Sequence, residues 1–304
     1  TAPGGGICIA GYKIYVCKPN VIIRHLRFRA GDYAAKSMPA LDVENTNNVI
    51  IDHCSFTWSM EECLTMYDCK YTTVQYCIIG EGLYNSRNSK GARAYATQWG
   101  GEHSTMHHCL ITNCNNRTPR FNGVRDNSNN PGDHDQFVDS EFYNNVIFNW
   151  GKPNSLYGGE CDTTINGGNS YNRVYMRGNY FRPGPTTQNN AKSNRYFVEA
   201  STQKGMGQWF VDGNKFELSS KFAPTSSVWT NTVLQKVIDD NLYGIASNDA
   251  GRTINKKAGS VNDFLAKNIL SEQIETSGLI AESADEAFTH VTTMAGASMP
   301  RYDE

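Results

Sequence analysis

Two polar stretches of the sequence carry a concentration of basic side chains. Both are rich in residues typical of loops, and loops on a rigid scaffold are where binding surfaces are usually built. The basic residues include Lys90 and Arg93 in stretch 81–101, and Arg117, Arg120 and Arg125 in stretch 113–135. Together they predict a cationic binding surface. A single arginine is more often an ordinary loop charge, so the prediction depends on their convergence.

The acidic pair Glu61-Glu62 lies between two runs rich in β-branched residues, 49–56 and 72–79. Such a pair can be a solvated turn or part of a binding site. If neighbouring turns of the chain stack on one another, the pair lies opposite the arginines. The surrounding elements therefore decide its role.

A repeated pattern of short strands supplies those elements. One column of the repeat holds Leu26, then Cys54, Cys77 and Cys109, then Asn145, Asn179 and Asn214. The steps range from 23 residues (Cys54 to Cys77) to 36 residues (Cys109 to Asn145), without helical spacing. This pattern predicts a β-solenoid in which like side chains stack and hydrogen-bond along the column.

The composition agrees with one large β domain and argues against a nucleic-acid partner. The 304 residues include 19% charged and 39% hydrophobic residues and 27 glycines, as expected where many tight turns need positive φ. The formal net charge is −2, and the sequence has no basic stripe. No apolar run approaches the length of a membrane span.

The nine cysteines do not follow a disulfide or zinc pattern. Cys54, Cys77 and Cys109 share the repeat column and are predicted to be small buried hydrophobic residues. A bridge among the others is possible, but the sequence does not assign its connectivity. These others are Cys8, Cys17, Cys63, Cys69, Cys114 and Cys161. Without a C-x-x-C pair or zinc spacing, no structural zinc is predicted.

The C-terminal part loses the repeat and gains helical spacing. Helices are predicted at 261–270 and 284–295, the second with Ser283 and Glu286 as a capping box. We expect this tail to pack over the open end of the solenoid. The first residues contain no signal-like segment, which suggests that a longer precursor has been trimmed.

Several motifs resemble a known family. They are NVIIRHLRFRAGD, NNVIIDHCSFTWSMEE, TTVQYCIIGEGL, KGARAY, WGG, HHCLITNCNNRTPRFNG and NNVIFNWG, in this order between Asn20 and Trp150. The series resembles the pectate lyases of polysaccharide lyase family 1, in particular their Bacteroides-like branch. The resemblance implies an all-β, right-handed parallel β-helix (solenoid) with a short, partly helical C-terminal tail. One domain would span 1–304, with the tail starting near 236.

The resemblance also implies an activity and residue roles. The activity is β-elimination on α-1,4-polygalacturonate (pectin), which gives 4,5-unsaturated oligogalacturonides. The family's R-x-P-R motif falls on 117–120, so Arg117 would be the base that removes the C5 proton, and Arg120 a substrate-binding cation. Lys90 would hold the substrate carboxylate, and Arg93 and Arg125 would add substrate contacts. Because guanidinium groups keep their proton up to about pH 12, an arginine base predicts an alkaline optimum.

Calcium is the cofactor that the family implies, with Glu61 and Glu62 at the position of an acidic pair. The sequence departs from the family at Pro39-Ala40-Leu41, where relatives carry Asp-Ala-Leu. Asp42 has the alternation parity of Ala40 and could replace the missing ligand; Asp32 and Glu44 are further candidates. The loss of one ligand predicts weaker calcium binding, a site completed by substrate carboxylates, or a cation such as Lys36 in its place.

Three functions remain open from the sequence. They are a calcium-dependent pectate lyase, a calcium-independent pectin lyase or lyase of another uronate polymer, and a catalytically silent polysaccharide-binding β-helix. His53, His107 and His108 are predicted to be structural. A monomer is expected, without a nucleic-acid partner. Because the implied substrate is an extracellular polymer, the protein is expected to be secreted, periplasmic or on the cell surface.

Overall fold

The chain winds into a parallel β-helix, in which successive coils stack strand on strand. A computed structural model describes residues 6–34, 36–122, 137–151, 154–159, 161–162, 170–189, 196–200, 208–217, 227–229, 270–274 and 277–297. The strands within these residues form three ladders, A, B and C, which the chain visits in that order in each coil. The predicted parallel β-helix is confirmed.

Ladders A and B share two long strands, β5 (Leu41–Asp52) and β7 (Glu62–Gln75). The first halves of both strands lie in ladder A and their second halves in ladder B. Ladder A further contains β2 (Ile14–Val16), β9 (Tyr95–Trp99), β12 (Arg120–Phe121), β15 (Asn154–Gly158) and β19 (Tyr196–Ala200). Ladder B further contains β3 (Val21–Arg24), β10 (Ser104–His107), β13 (Phe137–Tyr143), β17 (Ser170–Arg177) and β20 (Gln208–Asp212), with β16 (Cys161–Asp162) antiparallel to β17.

Ladder C contains one short strand from each coil. These are β1 (Ile7–Ala10), β4 (Leu26–Gly31), β6 (Ser55–Ser59), β8 (Ile78–Gly80), β11 (Leu110–Thr112), β14 (Val146–Phe148), β18 (Tyr180–Arg182) and β21 (Asn214–Phe216), with β22 (Ser227–Trp229) antiparallel to β21. Phe28, Phe56, Ile79, Ile111, Ile147, Phe181 and Phe216 are register partners along the ladder. The sequence alignment of the seven repeats therefore matches the strand register.

A column of residues with positive φ separates ladder B from ladder C. It includes His53 (φ 49°), Tyr76 (φ 49°), His108 (φ 53°) and Asn144 (φ 54°). The runs 49–56 and 72–79 are therefore not single strands, because each bends at this column and continues in another ladder. The aromatic rings of this positive-φ column stack on one another, with centroids 4.9 Å apart for both His53–Tyr76 and Tyr76–His108. The three predicted structural histidines lie in or beside this stack.

The next column carries the predicted stack of cysteines and asparagines. Cys54, Cys77 and Cys109 are fully buried, and burial raises the pKa of the Cys77 thiol. Where the column changes from cysteine to asparagine, the backbone N–H of Cys109 donates to Asn145 Oδ1 over 3.0 Å. Asn179 Nδ2 then donates to Asn214 Oδ1 over 2.7 Å. The hydrogen bonds satisfy buried amides that would otherwise destabilise the interior.

The hydrophobic core fills the space between the ladders. Its largest fully buried side chains include Trp99, Phe121 and Phe142. All cysteines with described side chains are free thiols, so no disulfide forms among them. The described helices are α1 (Pro185–Asn189) and α2 (Ala284–Met294). No helix in the described ranges has the length and apolarity that a membrane crossing requires.

Helix α2 confirms the predicted capping box but not the predicted docking place. Ser283 accepts the backbone N–H of Glu286, and the Glu286 side chain returns to the Ser283 N–H. The helix packs through Val291 and its neighbours on Val146 and Tyr180, which lie on the outer side of ladder C. Helix α2 therefore covers a lateral face, because outward apolar residues there need burial. The helix predicted at 261–270 falls almost wholly outside the described residues.

Candidate active site

Three consecutive coils place the basic and acidic residues on the outer side of ladder A. Glu62 begins β7, the Lys90–Arg93 connection leads into β9, and Arg117 lies in the turn before β12. Glu62 is the register partner of Tyr95, and Gln98 is the register partner of Arg120. Neighbouring strands lie about 4.8 Å apart. Side chains separated by many residues in sequence therefore meet on one surface.

Arg117 is held against Glu62 and Tyr95. Its guanidinium forms an ion pair with the Glu62 carboxylate, and its Cζ lies 4.3 Å from the centre of the Tyr95 ring. Gln98 Nε2 donates to the same carboxylate over 3.1 Å. Arg117 has a positive φ of 58° and is followed by a cis Thr118–Pro119 bond. Its side chain is 19% exposed.

The Glu61 carboxylate is surrounded by hydrogen-bond donors and cations. Ser37 Oγ donates to its carboxylate, as does Asn88 Nδ2 over 3.0 Å. Arg93 Nε lies 3.7 Å and Lys90 Nζ 3.9 Å from the carboxylate oxygens. Burial raises the pKa of Glu61, but the two hydrogen bonds and the two cations outweigh burial and hold it below its usual range. Glu61 is therefore a carboxylate at neutral pH.

Arg120 is anchored between two side chains of ladder A. Its Nη1 donates to Gln98 Oε1 over 2.9 Å and to Tyr67 Oη over 3.3 Å. Tyr67 Oη also donates to Gln98 Oε1. Arg93 Nη1 donates to Tyr95 Oη over 2.9 Å, so Tyr95 contacts both Arg93 and Arg117. The outer surface thus combines fixed guanidinium groups with the Lys90 side chain, which is 58% exposed.

The structure brings six of the eight sequence-predicted site residues into one cluster. They are Glu61, Glu62, Lys90, Arg93, Arg117 and Arg120. Arg125 lies outside the described residues. Sequence reasoning missed Tyr67, Asn88, Tyr95 and Gln98, because only the strand register shows that they lie between the charged groups.

Asp42, the eighth predicted residue, is bound by a different cation. Lys13 Nζ lies 2.7 Å from its Oδ2. Ala40 does not face outward as the predicted alternation with Asp42 required, because it packs in the core and precedes the start of β5. Of the other candidates, Asp32 lies beside Arg87, and Glu44 accepts a hydrogen bond from Tyr15. Each of these carboxylates therefore already has a partner from the chain itself.

The donor set fits calcium only in part. Ca²⁺ takes six to eight oxygen ligands. Glu61 and Glu62 offer carboxylate oxygens from adjacent positions, but the groups closest to them are N–H donors and cations. A calcium ion here would take Glu61 and Glu62 as protein ligands and would need further oxygens from a substrate or from Asp42.

Sequence relatives of the chain are fungal proteins with one shared name. A "Probable pectate lyase C" of Aspergillus flavus is 28% identical over 299 residues, which is 94% of this chain and 64% of that protein. The Aspergillus terreus protein of the same name is 30% identical over 227 residues, 72% of this chain and 48% of that protein. The chain thus spans less than two thirds of the length of these relatives. No protein-family model matches the chain.

Solved structures with a similar fold are also pectate lyases. A thermostable pectate lyase superimposes with a TM-score of 0.59 at 14% identity, over 96% of this chain and 65% of that one. A Bacillus sp. N165 pectate lyase in complex with trigalacturonate has a TM-score of 0.52 at 16% identity, over 95% of this chain and 71% of that one. Sequence and fold agree: the chain is a homologue of pectate lyases and has their parallel β-helix fold.

Proposed function

We propose that the chain is a pectate lyase that cleaves α-1,4-polygalacturonate by β-elimination and releases 4,5-unsaturated oligogalacturonides. The observation that carries the proposal is the cluster in which Arg117, pinned by Glu62 and Tyr95, shares one surface with Arg93, Arg120 and Lys90. Such a surface suits a polymer with one carboxylate per sugar ring. The names of the sequence relatives point to the same activity.

Cations must bind the substrate carboxylate before a base can remove the C5 proton. The C5 proton of a galacturonate is too weak an acid to be removed until cations hold the neighbouring carboxylate. At alkaline pH, Arg117 would first lose a proton to hydroxide and would then, in its neutral form, take the C5 proton. The electron pair would form the C4–C5 double bond, and the C4–O bond would break. The departing oxygen would receive a proton from water. The chain's contribution is to hold the carboxylate and to place the base at C5.

Each basic residue has a role consistent with its surroundings. Lys90 is the most exposed and can reach over a bound sugar to its carboxylate. Arg120 and Arg93 are fixed by Gln98 and Tyr95, so they can bind carboxylates with little further ordering. Arg117 must break its ion pair with Glu62 before it can approach C5. A substrate carboxylate that binds near Arg93 would bring the sugar close enough for this movement. Arg125 is proposed only as an additional substrate contact.

Calcium is part of the proposal, with Glu61 and Glu62 as its protein ligands. A bound Ca²⁺ would supply electrostatic stabilisation of the negative charge that develops on the substrate carboxylate. Two observations favour the alternative of a calcium-independent pectin lyase or a lyase of another uronate polymer. Proline stands at position 39, and Lys13 binds Asp42. In that alternative the basic residues alone would hold the substrate.

The cellular setting and assembly state stay predictions. A polymeric substrate outside the cell implies an enzyme that is secreted, periplasmic or displayed on the surface, and we propose a monomer acting on single polygalacturonate chains. Assignment to the Bacteroides-like branch also stays a prediction. The silent polysaccharide-binding alternative would need the basic cluster to bind without turnover.

The decisive measurement is ultraviolet absorbance of unsaturated uronate product from polygalacturonate at alkaline pH. Wild type, Arg117→Ala and Arg182→Ala are compared with added calcium and with chelator. Arg182 is a matched control, because it is an ion-paired arginine on ladder C, away from the cluster. We expect product from wild type and Arg182→Ala, and a loss of at least about 100-fold in Arg117→Ala.

The other outcomes separate the alternatives. Product that forms equally with chelator, or only from methyl-esterified pectin, would support the calcium-independent lyase. Full activity of Arg117→Ala would refute the assignment of the base. Binding of polygalacturonate without any product, on either substrate, would identify a silent binding protein and contradict the proposed activity.

A further inference from the structure

Two histidines and one glutamate converge where the C-terminal segment meets the β-helix, away from the proposed active site. Glu282 Oε1 lies 2.9 Å from His108 Nε2 and 2.9 Å from His290 Nδ1. The three ligand atoms lie within 4.8 Å of one another. His108 belongs to the turn before ladder C, Glu282 precedes helix α2, and His290 lies within that helix. One side chain from the solenoid thus meets two from the tail.

A chain of hydrogen bonds fixes which nitrogen of His108 carries a proton. Gln75 Nε2 donates to the Asp52 carboxylate over 3.0 Å, so Gln75 Oε1 faces His107 as an acceptor. His107 Nε2 must therefore donate to Gln75 Oε1, over 3.1 Å. The neutral His107 ring then presents an unprotonated Nδ1 to His108 Nδ1, 2.8 Å away. His108 consequently carries its proton on Nδ1.

This assignment leaves the Nε2 lone pair of His108 aimed at a carboxylate oxygen. A neutral imidazole has one donor and one acceptor nitrogen, and an ionised carboxylate only accepts. Two acceptors at 2.9 Å repel unless a cation lies between or beside them. Either a second proton on the His108 ring or a bound metal ion meets this requirement, and the third ligand atom, on His290, favours the metal ion.

We infer that His108 Nε2, the Glu282 carboxylate and His290 Nδ1 form a site for a divalent transition-metal ion of the zinc type. Two imidazole nitrogens and one carboxylate are a common three-ligand set for Zn²⁺, with water as the fourth ligand. His107 fixes the tautomer and ring orientation of His108 from behind, as outer partners of metal-bound histidines do. The exposed side of His290 gives the ion a path of entry.

The burial of the three ligands matches this assignment. The His108 side chain is 9% exposed, Glu282 22% and His290 49%. The ligand from the solenoid is thus rigid and buried, whereas His290 can adjust to bring its nitrogen to about 2.1 Å from a metal. Glu282 is held in place by its own backbone, since its N–H donates to Asn144 Oδ1 over 3.1 Å and its carbonyl accepts from Asn144 Nδ2 over 2.8 Å.

The site would fasten the C-terminal helix to the solenoid. Helix α2 covers a lateral face of ladder C, and the metal would join its second turn to the turn at His108. Metal binding to the folded chain stabilises it by mass action. The inference is independent of the proposed lyase activity, because none of the three ligands belongs to the Arg117 cluster.

The test uses the full chain after a chelator has removed bound metal. One titration adds Co²⁺ and monitors binding by visible d–d absorption. A second adds Zn²⁺ and measures binding by calorimetry. Cys8 and Cys17 are exposed thiols that bind the same metals. Both titrations therefore use a Cys8→Ser/Cys17→Ser background. We expect one ion per chain, a tetrahedral Co²⁺ spectrum without thiolate bands, and a higher melting temperature with Zn²⁺.

The variants separate this site from adventitious binding. His290→Gln removes an exposed ligand without disturbing the core, and we expect its affinity to fall by more than about tenfold. Glu282→Gln should give the same loss. His103→Gln, an exposed histidine that stacks on Tyr71, is the matched control and should bind as the parent does. Absence of binding by the parent chain, or affinity unchanged in His290→Gln, would overturn the inference.

Discussion

The guanidinium carbon of Arg117 lies 4.3 Å from the centre of the Tyr95 ring. Tyr95 is also the register partner of Glu62, which pairs with the same guanidinium. One rung of ladder A therefore carries both groups that orient Arg117. The Tyr95 ring can stay under the guanidinium after Arg117 leaves Glu62, and this contact lowers the ordering cost of the reaction. The proposed base is thus positioned by the strand register rather than by its own loop.

Replacing the Tyr95 ring should separate the two contacts of this residue. Tyr95→Phe keeps the ring under Arg117 but loses the hydrogen bond from Arg93, so we expect a higher KM and a nearly unchanged kcat. Tyr95→Leu also removes the cation–π contact, worth about 0.5–2 kcal/mol, and kcat should fall up to about tenfold more. Steady-state kinetics on polygalacturonate measure both values. Equal kinetics of the two variants would contradict a role for the ring.

Removing Lys13 should change the calcium dependence. Lys13 binds Asp42 over 2.7 Å, so Lys13→Ala removes a positive charge that competes with calcium for this carboxylate. We expect half-maximal activity at a several-fold lower calcium concentration. Lys18→Ala, an exposed lysine on the same coil, is the control. If both variants follow the wild-type calcium curve, Asp42 is not part of the calcium site.

Glu61 should make stability depend on pH in the acid range. Burial alone raises the pKa of Glu61, but hydrogen bonds from Ser37 and Asn88 and the nearby Arg93 and Lys90 hold it below its ordinary value of 4.5. A depressed folded-state pKa means that its contribution is fully present above about pH 4.5 and is lost as the pH falls through the folded value. Glu61→Gln should therefore lower the unfolding free energy by about 1–2 kcal/mol at pH 7 and by less in acid.

Urea unfolding at pH 7 and at pH 3.5 measures this difference. Glu272→Gln, at an exposed position, is the control and should match wild type at both pH values. A Glu61→Gln deficit that is larger in acid than at neutral pH would contradict the sign of the argument.

The asparagine column should carry a large share of local stability. Asn179 Nδ2 donates to the Phe142 carbonyl over 2.7 Å, and its Oδ1 accepts the Asn145 backbone N–H over 2.9 Å. Asn179→Ala leaves these buried groups unpaired, and we expect a loss of about 3 kcal/mol or more. Thermal unfolding measures it, with the exposed Asn47→Ala as control. A loss below about 1 kcal/mol would show that water or neighbouring groups replace the amide.

Much of the β-helix could be predicted from the sequence because the same residue pattern recurs in each coil. The spacing of Cys54, Cys77 and Cys109, and then of Asn145 and Asn179, fixes which residues stack, since like side chains gain hydrogen bonds and packing only when aligned. The capping box at Ser283 was predictable because its donors and acceptors lie within one helical turn.

The bends within the repeats could not be predicted in this way. The runs 49–56 and 72–79 have the composition of single strands, yet each turns at a residue with positive φ, His53 or Tyr76. Stacking of the rings on neighbouring coils stabilises these conformations, and that contact exists only after the coils have assembled. Local β-propensity therefore predicts the strands but not the bend at the positive-φ residue between them.

The solenoid, its repeat column and the charged residues of the candidate site could all be predicted from the amino-acid pattern. Three features are visible only in the folded chain: Lys13 binds Asp42, Tyr95 and Gln98 lie between the charged groups, and helix α2 packs on ladder C beside His108. Burial in the β-helix repeats once in every coil and capping acts within one helical turn, so both leave a pattern in the sequence. Contacts between neighbouring coils and the docking of a helix leave no such pattern, because the loops that separate the contacting residues vary in length.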